Sequence, residues 1–240
     1  MESRVFAILL AAGLSKRFGH ENKLLVPFRG KALAQHTIDL VCSLKEFFDG
    51  IFLVYSDERV AALVNMAADT NAGLSVSAEL RITFIHNKMP EKGQQESVRL
   101  GTQAAQANEN DFLMFFPCDQ PFLDADTVRK IIAVRRKGVI VEPCVGFGVQ
   151  GFGFGVCSSN VKRVTSERNY ITKNNQNICG SSPSLFSGVF LNELLSLREG
   201  EAPRVIKARH SEAVIQVTVT DPLILTDIDD RETLDHYNFQ

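Results

Sequence analysis

The chain has little excess charge. Its 26 Lys and Arg nearly balance 28 Asp and Glu, for a formal net charge of −2. That balance, with basic residues scattered, excludes the footprint of nonspecific nucleic-acid binding. No apolar run reaches the ~20 residues of a membrane span. The opening Met-Glu-Ser-Arg-Val lacks the charged-then-apolar order of a secretion signal, so a cytoplasmic location is expected. Five cysteines, Cys42, Cys118, Cys144, Cys157 and Cys179, are odd in number and never spaced C-x-x-C. A zinc ribbon or a thioredoxin-type centre is therefore unsupported, and the thiols are expected to be reduced and packed. Neither a P-loop nor a Rossmann G-x-G-x-x-G occurs, and there is no internal repeat or linker.

What is present is an alternation of apolar runs and helical patterns. Val5–Leu10, Ile51–Tyr55, Arg81–His86 and Phe112–Phe116 read as strands, the last the most apolar and so central. Helices are expected over about Ala32–Phe48, Asp57–Ala68, Gln95–Ala107 and Asp124–Arg136. Another is expected over Leu191–Arg198, then a strand at Val214–Val219 and a short C-terminal helix. The order predicts one α/β domain, a mostly parallel sheet flanked by helices. Right-handed crossovers then gather the loops that follow the strands along one edge, where α/β ligands bind. A glycine- and phenylalanine-rich, then asparagine-rich, segment at about 146–180 breaks the pattern and reads as a loop or hairpin.

Three stretches carry chemistry. The first is Leu9-Leu10-Ala11-Ala12-Gly13-Leu14-Ser15-Lys16-Arg17-Phe18-Gly19, followed by Asn22-Lys23-Leu24. Small residues after a buried strand admit a ligand close to the backbone, and Lys16, Arg17 and Lys23 bring charge for a triphosphate. The second, Phe116-Pro117-Cys118-Asp119-Gln120-Pro121, ends the central strand on a carboxylate. Asp124 already caps the next helix, which leaves Asp119 for another role, and Cys118 reads as packing. The third is Asp227-Ile228-Asp229-Asp230, where alternation puts Asp227 and Asp229 on one face if a strand continues. Asp230 and Glu232 suit a helix N-terminus.

These stretches resemble the L-A-A-G-x-x-x-R-[MF]-G, G-D-Q-P and D-I-D elements of the MobA-like nucleotidyltransferases. Within them the chain is most similar to the molybdenum cofactor cytidylyltransferases of the MocA type. The resemblance implies a GT-A or nucleotide-diphospho-sugar transferase-like, Rossmann-type fold over residues 1–240. It also implies transfer of CMP from CTP to a molybdopterin-type cofactor with release of pyrophosphate. The Leu-Ala-Ala-Gly reading, in place of the Leu-Ala-Gly-Gly of guanylyltransferase relatives, points to CTP. By resemblance Arg17, Lys23 and Asp119 are catalytic, and Asp119 and Asp229 hold Mg2+, with Mn2+ as the alternative. Leu10, Ala11, Ala12, Gly13, Lys16, Arg17, Lys23, Gly93 and Ser97 would contact the nucleotide. Gln95 stands where the family has a serine. Ser182-Pro183-Ser184-Leu185-Phe186 and Gly200-Glu201-Ala202-Pro203-Arg204 resemble segments that flank the family's pterin site, and His210 reads as a surface histidine, with a pterin-phosphate contact as the alternative. An apo molybdenum hydroxylase is the implied partner. The competing readings are a sugar or polyol phosphate acceptor, GTP as donor, and a non-catalytic cofactor carrier or insertion chaperone.

Overall fold

The computed structural model describes residues 3–19, 21–69, 82–145, 178–179, 182–219 and 221–238. The expectations for the segment at 146–180 fall outside these, save for residues 178–179. In chain order come β1 (Val5–Ala11), β2 (Pro27–Phe28), β3 (Lys31–Ala32), α1 (Leu33–Ser43), β4 (Gly50–Tyr55), α2 (Glu58–Asp69), β5 (Ile82–His86) and α3 (Gln94–Ala105). They are followed by β6 (Phe112–Pro117), α4 (Ala125–Ala133), β7 (Ile140–Val145), β8 (Ile178–Cys179), β9 (Ser184–Ser187), α5 (Leu191–Leu195), α6 (Arg204–Arg209), β10 (Val214–Val219) and α7 (Arg231–Asn238).

The main sheet runs β10-β7-β9-β6-β1-β4-β5, with β8 paired to β7. Only β9 and β8 run against the common direction; the pairs β1–β4, β1–β6, β4–β5 and β7–β10 are parallel. The chain builds outward from β1 to β4 and β5, then returns to lay β6 on β1's other side. The strand order therefore switches between β1 and β6, and the crevice at their carboxyl ends is where such folds take ligands.

β1 is buried on both faces because both are covered by helices. Val5, Ala7, Leu9 and Ala11 join a core cluster with Ile38 and Val41 of α1 and Val128 and Ile131 of α4. Phe6 and Ile8 join the opposite cluster with Val98 of α3, Leu194 of α5 and Ile206 of α6. On α3 the helix lies so close to β1 that a Cβ at Gly101 would stand 2.4 Å from Ile8 Cγ2. The β2–β3 hairpin turns at Arg29 (φ 46°) and Gly30 (φ 85°), both left-handed, as its two-residue turn requires.

The expected elements form, with shorter helices. The helix expected to reach Phe48 stops at Ser43, and a 3-10 turn over Lys45–Phe47 follows. The one expected to reach Arg136 stops at Ala133, and the one expected to reach Arg198 stops at Leu195. Helix α6 gave no periodic signal, being barely more than a turn and a half long. The acidic stretch 227–229 is not a strand.

Candidate functional site

The loop after β1 is held from below. Phe18 is buried with Phe28, Leu33, Ile228 and Leu234, which ties the loop to the C-terminal segment. Ser15 takes the left-handed conformation (φ 50°), and its carbonyl accepts the Phe18 N–H at 2.8 Å. Its hydroxyl accepts the Lys23 N–H at 3.0 Å. Asn22 caps the next turn by accepting from Leu24 N (3.1 Å) and donates to Asp57 (3.2 Å). The left-handed backbone of this loop lies at Ser15 and at Gly19 (φ 77°). A Cβ on Gly13 would meet nothing within 4 Å, so the fold leaves open space in front of this residue.

Leu24 is buried in the core, which turns its neighbour Lys23 toward the crevice. There Lys23 Nζ donates to Asp119 Oδ2 at 2.6 Å and to Asp229 Oδ1 at 3.0 Å. Arg17 Nη1 reaches the other oxygen of Asp229 at 2.9 Å. The four residues come from the β1 loop, the end of β6 and the segment before α7. A backbone tie fixes the last of these: Ile228 N donates to Asp119 O at 2.9 Å. Ile228 itself is fully buried. Asp227 and Asp229 therefore share a side through the anchoring of Ile228, although no strand continues there. Asp230 caps α7 at Thr233 N (2.9 Å), as its helix-start reading requires.

Burial works against the charge of Lys23, yet the two carboxylates outweigh it and raise its pKa. Asp227 moves the other way for a carboxyl: desolvation, then the nearby Asp119 and Asp229, push it up to about 6, against the hydrogen bond from Gln120. Gln120 Nε2 donates to Asp227 Oδ1 at 2.7 Å. Sequence reasoning named Gln120 only as part of a motif, and its contact with Asp227 carried no sequence signal. Burial also raises the thiol of Cys118, which packs in the core as expected.

The other expected residues divide. Lys16 is exposed and makes no ion pair among the described residues. Ala11 and Ala12 are buried at the head of the loop, and Gly93 takes φ 105° ahead of α3. Ser97 faces inward, 5% exposed, where its hydroxyl accepts from the buried Asn87 at 3.0 Å. Leu10 lines a pocket with Ser182, Ser184, Arg204 and Lys207. His210 is half-buried, not a surface histidine: Nε2 lies 2.6 Å from Glu193 and the ring packs on Phe190.

A metal was expected on Asp119 and Asp229. Asp119 Oδ1 is buried with no hydrogen-bond partner, and both groups are hard oxygen donors. Among the described residues no three His, Cys, Asp or Glu side chains form a cage. Two carboxylates with the remaining positions left to phosphates and water are the donor set that suits Mg2+.

A family model described as the MobA-like NTP transferase domain matches residues 7–214. The chain belongs to this family. A molybdenum cofactor guanylyltransferase of Shewanella baltica is 28% identical over 137 residues, 57% of this chain and 59% of that protein. The purine catabolism protein PucB of Bacillus subtilis is 28% identical over 142 residues, 59% of this chain and 66% of that protein. The chain thus spans about three fifths of the length of the curated relatives it matches. Among solved structures, a nucleotidyl transferase from Methanothermobacter thermautotroptrophicus superposes with a TM-score of 0.66 over 98% of both chains, at 18% identity. That likeness is one of fold. No helix among the described residues is long and apolar enough to cross a membrane.

Proposed function

We propose that this MobA-like chain is a nucleotidyltransferase that transfers CMP from CTP to a molybdopterin-type cofactor and releases pyrophosphate. The observation that carries the reading is Lys23 clasped between Asp119 and Asp229 at the switch point of the sheet. Nucleotidyl transfer asks for positioning and charge neutralisation more than for a strong base, because the attacking phosphate is already ionised. Arg17 and Lys23 would grip the triphosphate and hold charge as it passes to the leaving pyrophosphate. Backbone groups of Ala11, Ala12, Gly13 and Gly93 would border the base and sugar, with Leu10 below. Asp119 and Asp229 would hold Mg2+ or Mn2+, which supplies further neutralisation of the phosphates when bound. The cytosine assignment rests on Leu-Ala-Ala-Gly at the loop. A product of this kind would be handed to an apo molybdenum hydroxylase.

A second reading is transfer of GMP from GTP, favoured by the names of the Shewanella relatives. Pyrophosphate release, measured with each triphosphate in turn, Mg2+ and molybdenum-loaded molybdopterin, separates the two. Release with CTP alone that is lost in Asp119→Ala sustains the reading. Release with GTP alone moves the donor to guanine. Silence with every triphosphate overturns the molybdopterin acceptor and leaves another acceptor, such as a sugar or polyol phosphate, or a carrier.

A further inference from the structure

Strands β1 and β4 pair in parallel with Ala11 opposite Tyr55, so the loops that leave them stand side by side at the crevice. The loop after β4 contributes Asp57. This residue has a local task at the start of α2: its Oδ1 accepts the Arg59 N–H at 3.0 Å, and its carbonyl accepts the Val60 N–H at 2.9 Å. Serine or asparagine would serve a helix start as well. Asp57 does more than this. Its Oδ2 accepts from Asn22 Nδ2 at 3.2 Å, across 35 positions of chain. The Arg59 guanidinium holds both carboxylate oxygens, Nε on Oδ1 at 3.0 Å and Nη2 on Oδ2 at 2.7 Å. That contact brings the carboxyl down to about 2, against partial burial. Asp57 is therefore charged, and a charged carboxylate can only accept.

That restriction decides which way Asn22 faces. A carboxamide has a donor end and an acceptor end. The carboxylate of Asp57 claims the donor end, so the oxygen turns toward the β1 loop. There Asn22 Oδ1 accepts the Leu24 N–H at 3.1 Å and lies 3.5 Å from the Ser15 hydroxyl, which itself accepts the Lys23 N–H at 3.0 Å. The backbone N–H groups of Lys23 and Leu24 are thus held by two side chains, one of them oriented from a neighbouring loop. A reversed carboxamide would set its own NH2 against the Leu24 N–H and leave that donor unpaired.

We propose that Asp57 is a positioning residue for Lys23: by fixing the sense of the Asn22 carboxamide, it sets the turn from which Lys23 reaches the crevice. The part Lys23 plays in transfer rests on the proposed function, whereas the setting of its turn does not. A lysine on its flexible four-carbon stem can reach one point from many backbone positions. Alignment with a reacting phosphate tolerates little displacement, so a residue that never touches substrate still acts on the rate.

The test is hydrogen exchange of single amides in the full chain, read beside the rate of pyrophosphate release. Asp57→Ser keeps a capping oxygen for α2 but is too short to reach Asn22. Exchange at Lys23 and Leu24 should quicken by about tenfold, with Arg59 and Val60 unchanged. Release should fall by about tenfold. In a Lys23→Met background the same substitution should bring no further loss, whereas weakened folding would lower the rate in both backgrounds. Asn22→Asp sets two carboxylates against each other and should quicken the same two amides. Adding Asp57→Asn to it restores a donor facing an acceptor, and exchange should return to within about twofold of wild type, a rescue that helix capping alone does not give. Wild-type exchange at Lys23 and Leu24 in Asp57→Ser overturns the proposal, as does a swapped pair no better than Asn22→Asp alone. A further loss of rate in the Lys23→Met background overturns it too. If the wild-type chain releases no pyrophosphate while the exchange pattern holds, the molybdopterin reading falls and the setting of the Lys23 turn stands.

Discussion

Two charged clusters stand at the same edge of the sheet and differ in construction. Around Lys23 there are two cations and two carboxylates, with Asp229 41% and Arg17 61% exposed. Among the described residues Lys207 pairs with the carboxylate of Glu142, both side chains nearly buried. The first cluster runs from a nearly buried pair, Lys23 and Asp119 at 12% and 19% exposed, out to the exposed Arg17 and Asp229, and is bordered by open space at Gly13. The second is buried throughout. A pair with a solvent-facing side can exchange partners, whereas a buried pair stays fixed.

The largest expected effect breaks the first cluster functionally. Asp119→Ala should lower the rate of pyrophosphate release by about a thousandfold, the scale of a lost transition-state charge contact. The next effect separates the clusters by stability. Glu142→Ala removes one member of the nearly buried pair with Lys207 and should cost about 3 kcal/mol in a urea titration. Asp229→Ala, at a half-exposed pair, should cost less than about 1 kcal/mol in the same titration. Equal costs would erase the distinction between open and closed clusters. Smaller again is Arg17→Lys, which keeps charge but loses the planar fork; the rate should fall by about tenfold, read in initial velocities at saturating nucleotide.

The smallest expected effect is a pH dependence. Asp227, pushed up to about 6, holds its proton more tightly in the folded chain than in the unfolded one. Its contribution to stability is therefore full below about pH 4, falls as pH rises toward 6 and stays lost above that. Asp227→Asn should remove that slope, so the variant's melting temperature should gain on the wild type's between pH 4 and 6 and keep the gain above. The Asp227 residue is nonetheless exposed on one side, which keeps the difference small, under about 1 kcal/mol. Parallel melting curves across that range would show that Asp119 and Asp229 do not crowd Asp227.

Much of this was legible in the sequence because the strands are buried on both faces and so read as continuous apolar runs. The crevice residues Arg17, Lys23, Asp119 and Asp229 each lie in or beside a loop at the end of such a run or before a helix, where local pattern and spatial position coincide. The second cluster was not legible. Glu142 lies inside an apolar strand, where its charge contradicts the local pattern without saying why. Its partner sits on α6, too short to show a period, and lies 65 positions further along the chain. Helix lengths were overestimated for a related reason. After Ser43 and after Ala133 the chain still carries apolar residues, and tertiary packing, not propensity, ended the helices.

The tie from Ile228 N to Asp119 O also has a meaning in time. Every strand of the sheet, and every other member of the Lys23 cluster, has been synthesised before Asp229 is added. A growing chain can assemble β1, β4, β5 and β6 with Lys23 facing Asp119 alone. Only when residues 227–229 emerge and dock beneath the β1 loop does the fourth group enter. During translation the crevice therefore exists before it is chemically complete, and a nascent chain would carry the outline of its site without the full means to use it.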